Sequence, residues 1–318
     1  MLQLIRRGLN FNGWTCIIIY CLFTSISAVW VSSSFSSISG STLTFFTLLL
    51  AQVFFLLMSI VKKSQPLQFV KENKKNVFII NVLTLTSWLF MFMALQRIEA
   101  SVESAIYQGW VPVIVLLIGL FVGQQRFRSM SAMGPFIIAL FIFMLVAARI
   151  YSASSDNANY SNVITGILLA SLAGSTGGVY VYFSSRMHIN GNASTVNILA
   201  TRFFILLMVT GFLARHQLVE LLSTNISVVF KLTLLSILFV IIPIFCLQYS
   251  ISELGAVRVS VITPLVPVIA LAVEYIYSPW SSIIVPVLIV MVCFSLIMTN
   301  LWISSDKKRV ILSTLSKE

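Results

Sequence analysis

The sequence predicts an all-α integral membrane protein, with ten transmembrane helices arranged as two inverted-topology five-helix repeats. Three observations predict it. The 318 residues are 58% hydrophobic and 9% charged, with a mean hydropathy of +1.00. A soluble domain of that length could not cover so much apolar surface with so few charges. Apolar segments of about twenty residues, enough to cross a bilayer as helices, recur along the chain, and basic residues gather in alternate connections.

The elements follow in order. Arg6 and Arg7 precede a first span at 14–33, and no small-x-small cleavage site marks it as a removed signal peptide. The second, 42–61, stops at Lys62 and Lys63. The third, 77–95, opens after Lys71, Lys74 and Lys75 and closes before Arg97. The fourth, 101–122, carries Glu103 near its start and Pro112 inside, and the fifth, 132–150, follows Arg128 and has Arg149 at its outer end. The sixth, 163–183, contains "GSTGG" from Gly174, whose GxxxG spacing permits close helix approach or local unwinding. The seventh, 195–214, holds Arg202, and the eighth, 232–250, follows Lys231 and contains Pro243. Pro264 and Pro267 suit a hinge in the ninth, 255–276. The tenth, 282–303, leads into a short basic tail.

With the N-terminus in the cytoplasm, fourteen of the twenty basic residues fall inside, four outside and two within spans. That asymmetry places both termini in the cytoplasm of a cell whose inner (plasma) membrane the chain crosses. The loop Tyr151–Asn162, "YSASSDNANYSN", has no basic residue and divides the spans five and five. Units 1–155 and 156–318 then enter the membrane in opposite senses, as an inverted repeat requires. "ESAIYQGWVPVIVLLIGLFV" from Glu103 and "RVSVITPLVPVIALAVEYIY" from Arg258 share VPVI at one offset, with Glu103 opposite Arg258. "TFFTLLLAQVFF" from Thr44 and "RFFILLMVTGFL" from Arg202 also correspond, with Thr44 opposite Arg202.

The "TRFFILLMV" start of span seven and the "ALQRIEASVESAIYQGWVPVIVLLIGLFVGQQRFR" stretch from Ala94 resemble the EamA-type branch of the drug/metabolite transporter superfamily. The resemblance covers nearly the whole chain. It implies a secondary transporter that moves a small metabolite outward, by proton coupling or exchange, through alternating access. Members move amino acids, metabolites, drugs or nucleotide-linked sugars. An arginine followed by an aromatic, near the start of a repeat's second helix, corresponds here to Arg202. The turn glutamate of that family would fall near Gln124 or Gln125 and near Tyr277, and neither turn carries it.

The candidate site residues are the polar groups that hydrocarbon cannot solvate. Arg202 lies roughly 10 Å inside the cytoplasmic end of span seven, at 1.5 Å per residue. It either snorkels to the interface or lines a cavity and binds a carboxylate. Arg258 is at comparable depth; either both arginines face inward and favour an anionic or zwitterionic ligand, or each snorkels separately to lipid phosphate. Glu103, Tyr107 and Trp110 share a face of span four, as an outer gate and proton site or as an interfacial belt. Glu274 is a second acid candidate, with a solvated helix end as its alternative. Tyr20, Thr24 and Ser27 line one face of span one, and Asn81, Thr84 and Trp88 one face of span three. Ser171, Ser175 and Tyr182 do so in span six, and Ser194, Asn197 and Thr201 in span seven. The expected substrate contacts are Arg202, Arg258, Tyr107, Trp110, Asn81, Trp88 and Tyr20, and the expected proton carriers are Glu103 and Glu274.

Other functions lack their residues. Cys16, Cys21, Cys246 and Cys293 have no CxxC spacing, and His188 and His216 have no partner at ligand spacing. No metal, haem or other cofactor is expected. No HExxH, GxGD or DDxxD occurs, which argues against an intramembrane enzyme. The net charge of +11 sits between apolar segments rather than on a basic helix, so nucleic acid is not the partner. The expected partners are a small solute and membrane lipid, in a monomer or homodimer. The alternative is an intramembrane lipid-handling or assembly protein, which needs the same topology but no polar path.

Overall fold

The structure, a computed structural model, describes residues 12–35, 37–122, 130–154, 157–191, 194–224, 226–254, 259, 262–277 and 283–315. Among these there is no strand. Helices run α1 (Gly13–Ser34), α2 (Gly40–Val61), α3 (Pro66–Glu72), α4 (Lys74–Leu95), α5 (Ala100–Phe121), α6 (Met130–Ala153) and α7 (Asn157–Gly191). They continue as α8 (Thr195–Thr201), α9 (Phe204–Thr224), α10 (Ile226–Leu235), a π-helical stretch (Ser236–Ile241), α11 (Ile242–Leu254), α12 (Leu265–Tyr277) and α13 (Ile284–Leu315).

Local chemistry sets the ends. Asn12 Oδ1 accepts from the Thr15 amide at 2.8 Å, and Ser39 and Ser194 cap α2 and α8 in the same way. Each satisfies an amide that has no partner within the first helical turn. Pro66 begins α3, where its missing N–H costs nothing.

Nine helical segments among the described residues are long and apolar enough to cross a membrane. The expected ninth span is where sequence and structure differ. Its described helix, α12, has 13 residues, about 20 Å at 1.5 Å per residue, against a hydrocarbon core of about 30 Å. Part of 255–276 lies outside the described residues. Two further differences are the short α3, which the basic loop did not announce, and α7, whose 35 residues overrun the 163–183 segment at both ends.

Two large apolar clusters hold the bundle. One centres on Leu43, Phe55, Phe92, Phe203 and Phe239, and the other on Ile106, Ile138, Ile142, Ile289 and Val292. Helices α4 and α5 both pack on α7, as α11 and α12 both pack on α1. Helix α2 packs on α9, α5 on α12 and α6 on α13. Residues such as Met208, Phe212 and Phe143 remain exposed, which suits lipid rather than water.

Polar ties gather at one end. Gln217 of α9 accepts from the Ser39 amide at 2.9 Å and from Thr42 Oγ1 at 2.8 Å, and donates to the Ser37 carbonyl at 3.1 Å. Gln96 donates to the carbonyls of Phe35 and Ile38. Arg149 pairs with Glu99, Nη2 to Oε1, at 2.7 Å.

Candidate functional site

The centre of the site is a break in span seven. Helix α8 ends at Thr201, α9 begins at Phe204, and Arg202 and Phe203 form a bend between them. A broken helix leaves backbone groups without partners inside an apolar bundle, where each would cost several kcal/mol in lipid. Two amides from the first half supply them. Gln52 Nε2 of α2 donates to the Ala200 carbonyl at 2.7 Å. Asn81 Nδ2 of α4 donates to the Thr201 carbonyl at 2.7 Å, and its Oδ1 accepts from the Ile205 amide at 3.1 Å.

Arg202 is 6% exposed, so its guanidinium does not reach the solvent interface. Nη1 donates to the Tyr180 hydroxyl of α7 at 2.7 Å. Its Cζ lies 5.0 Å from the Tyr180 ring centroid and 4.6 Å from that of Phe203, within cation–π range. Nε has no hydrogen-bond partner, and the residue makes no ion pair among the described residues. The expected neighbour, Arg258, lies outside the described residues.

A polar tract leads away from this cation. Tyr107 has Arg202, Tyr180 and Glu103 as its charged and phenolic neighbours, and its hydroxyl lies 3.2 Å from Ser87 Oγ of α4. The Tyr20 hydroxyl of α1 meets Gln108, with Tyr107 close by. Glu103 is 3% exposed. Its Oε2 accepts from Ser104 Oγ at 3.4 Å, while Oε1 has no partner. The Thr24 and Thr84 hydroxyls and the Trp110 indole N–H are also buried without partners.

The predicted residues therefore separate. Arg202, Tyr107, Tyr20 and Glu103 come together along the tract. Asn81 is occupied with the break. Trp88 packs on Phe92 and Phe239, at ring-centroid distances of 6.2 and 6.3 Å, and Trp110 meets Phe143 edge-on at 6.3 Å. Glu274 is buried, not at a solvated helix end. It accepts from the Ser101 amide at 3.1 Å and from the Ser101 hydroxyl, joining α12 to the start of α5. In span six the expected stripe pointed to Tyr182, which lies against Arg186, whereas Tyr180 serves the site. Sequence reasoning missed Gln52, Ser87, Gln108 and Tyr180. The readable signal for Gln52 was a lone amide in an apolar span.

The "GSTGG" segment serves close packing. A Cβ on Gly174 would stand 2.8 Å from the Tyr107 carbonyl oxygen, and one on Gly178 3.0 Å from that of Val111. A Cβ on Gly177 would stand 2.8 Å from the Tyr107 hydroxyl. These glycines let α5 lie flush on α7 and give the Tyr107 side chain its place.

Such a fold defines a class: a multi-pass helical membrane protein with a fixed cation beside an interrupted helix. Residues 11–147 match the family model described as "EamA-like transporter family". Over that stretch, somewhat less than half of the chain, the sequence is similar to the EamA-like transporter family, as the resemblance implied. Arg202 lies beyond the matched stretch. A solved structure titled "Crystal structure of protein" is similar in fold, with a TM-score of 0.57 at 13% identity, covering 94% of this chain and 96% of that one. No curated protein matches.

Proposed function

We propose that this protein is a secondary transporter for a small anionic or zwitterionic metabolite, working by alternating access between two inverted five-helix repeats, 1–155 and 156–318. The observation that carries the reading is Arg202, a buried cation at a helix break with an unpartnered N–H and no ion pair among the described residues. An arginine presents a planar donor fork suited to a carboxylate, and interrupted helices at a repeat interface are where transporters bind substrate. Tyr180, Tyr107 and Tyr20 line the path with hydroxyls and ring faces.

The helix pairing supports the repeat. Exchanging each span with the one five positions later turns the α4–α7 and α5–α7 contacts into the α11–α1 and α12–α1 contacts. Glu103, one turn from Tyr107, is the group for proton coupling. Export across the inner membrane, with both termini cytoplasmic, is the reading that the basic-residue bias and the family resemblance support.

The test is counterflow of a panel of carboxylate-bearing metabolites in proteoliposomes, normalised to folded protein. Transport should fall in the order wild type, Arg202→Lys, Arg202→Gln, with Gln losing tenfold or more, at roughly 1.4 kcal/mol per factor of ten for a lost charge-assisted bond. Undiminished transport by Arg202→Gln would end the proposal. In the same assay Glu103→Gln should lose gradient-driven flux and keep exchange, and wild-type pH dependence in that variant would dismiss its role.

A further inference from the structure

Between α2 and α4 the chain makes a compact elbow that neither the topology nor the transport site explains. Lys63 takes a left-handed conformation, φ 52°, and the Ser64 amide returns to the Ser59 carbonyl at 2.9 Å. Helix α3 follows and is pinned, because Phe69 is buried with Val77, Ile80, Met187 and Ile198, and Val70 and Tyr180 pack on that cluster. Asn73 Nδ2 closes α3 on the Phe69 carbonyl at 3.3 Å.

This fixed elbow displays Lys62, Lys63, Lys71, Lys74 and Lys75, all exposed, and none forms an ion pair among the described residues. Its one acid, Glu72, accepts from Gln68 at 2.8 Å along α3 itself. Beside the lysines, Val61, Leu67 and Phe78 are exposed, Leu67 at 79%. Lysines alone would be solvated topogenic charge. Lysines on a pinned backbone, next to outward apolar side chains at the end of two membrane spans, match a ligand with a negative head and an apolar tail.

We propose that the elbow 62–75 is a binding site for an anionic phospholipid, with the headgroup phosphate among Lys71, Lys74 and Lys75 and the acyl chains along Leu67 and Phe78. Each lysine near a membrane surface contributes roughly fivefold to attraction of anionic lipid, so three contribute on the order of a hundredfold. The elbow shares its apolar cluster with α8 and with Tyr180, the partner of Arg202. Lipid bound here therefore braces the end of span seven that the transport cation depends on.

The full chain, purified in neutral detergent, is titrated with dioctanoyl phosphatidylglycerol or dioctanoyl phosphatidylcholine, and its thermal midpoint is followed. A ligand that binds only the folded state raises that midpoint with its concentration. Phosphatidylglycerol should stabilise at concentrations on the order of a hundredfold lower than the triple variant Lys71→Gln/Lys74→Gln/Lys75→Gln requires. Lys307→Gln/Lys308→Gln/Arg309→Gln, with the same loss of charge, should respond as wild type. Should the triple variant not fold, Lys74→Gln alone should shift the response about fivefold. Equal stabilisation by phosphatidylcholine, equal loss in the tail variant, or equal stabilisation by soluble glycerol phosphate would overturn the proposal.

Discussion

Span two runs unbroken from Gly40 to Val61, while span seven, which aligns with it, is interrupted after Thr201. At the aligned position span two has Thr44, fully buried, whose hydroxyl returns to the Gly40 carbonyl of its own helix at 2.6 Å. Span seven has Arg202, and its helix gives way there. The same contrast separates spans three and eight. Helix α4 is regular, whereas span eight carries the π-helical stretch just before Pro243. A proline offers no N–H to the carbonyl four residues back, here Phe239, and a π-turn absorbs the mismatch. The regular half also supplies what the irregular half lacks, since Gln52 and Asn81 belong to α2 and α4 while the carbonyls they satisfy belong to span seven. Within the proposed repeat, the first half thus supports the break and the second half carries it.

The largest expected effect comes from erasing that division. Thr44→Arg would place a cation in an unbroken helix with none of the partners Arg202 has. An uncompensated buried charge costs about 3–5 kcal/mol, so folded protein recovered by size-exclusion chromatography should nearly vanish. Recovery at wild-type level would mean that span two can accept a cation as span seven does.

Asn81→Leu attacks the support instead. It leaves the Thr201 carbonyl and the Ile205 amide unpaired, at about 1–3 kcal/mol each. The thermal midpoint should drop by several degrees, with transport lost in proportion to the displaced arginine. Thr44→Ala, which removes only a bond within one helix, should cost under about 1 kcal/mol. If the two substitutions cost the same, the break does not depend on help from the first half.

Tyr180→Phe is the mildest. The ring stays over the guanidinium and the hydroxyl goes, so folded protein should change little and apparent substrate affinity by about threefold to tenfold, on the order of 1 kcal/mol for a bond that positions the arginine without touching substrate. An unchanged affinity would show that Arg202 is positioned by ring faces alone.

Most of the fold was legible because a membrane span announces itself by apolar length alone. Nine expected spans have described helices of the required length and hydropathy. The break was not legible, since Asn81 and Gln52 act on a backbone 120 and 148 residues further along the chain. Arg202 drew notice because a charge in an apolar run is conspicuous, but its partner Tyr180 looked like any tyrosine near a span end. Helix α3 was hidden by its lysines, although Pro66 at its start and Phe69 on its inner face were available signals. Pro264 and Pro267 did mark an irregular ninth span, without indicating how short its described helix is.

The glycine edge of α7 carries one more consequence. With Gly174 and Gly178 close to the Tyr107 and Val111 carbonyls of α5, the two helices meet there almost backbone to backbone, and a slide would bring a side chain into that contact. Spans four and six are therefore a single strut in mechanical terms. Such a strut tilts but does not shear, and the pliant joints it leaves to the molecule are the bend at Arg202 and Phe203 and the π-turn ahead of Pro243.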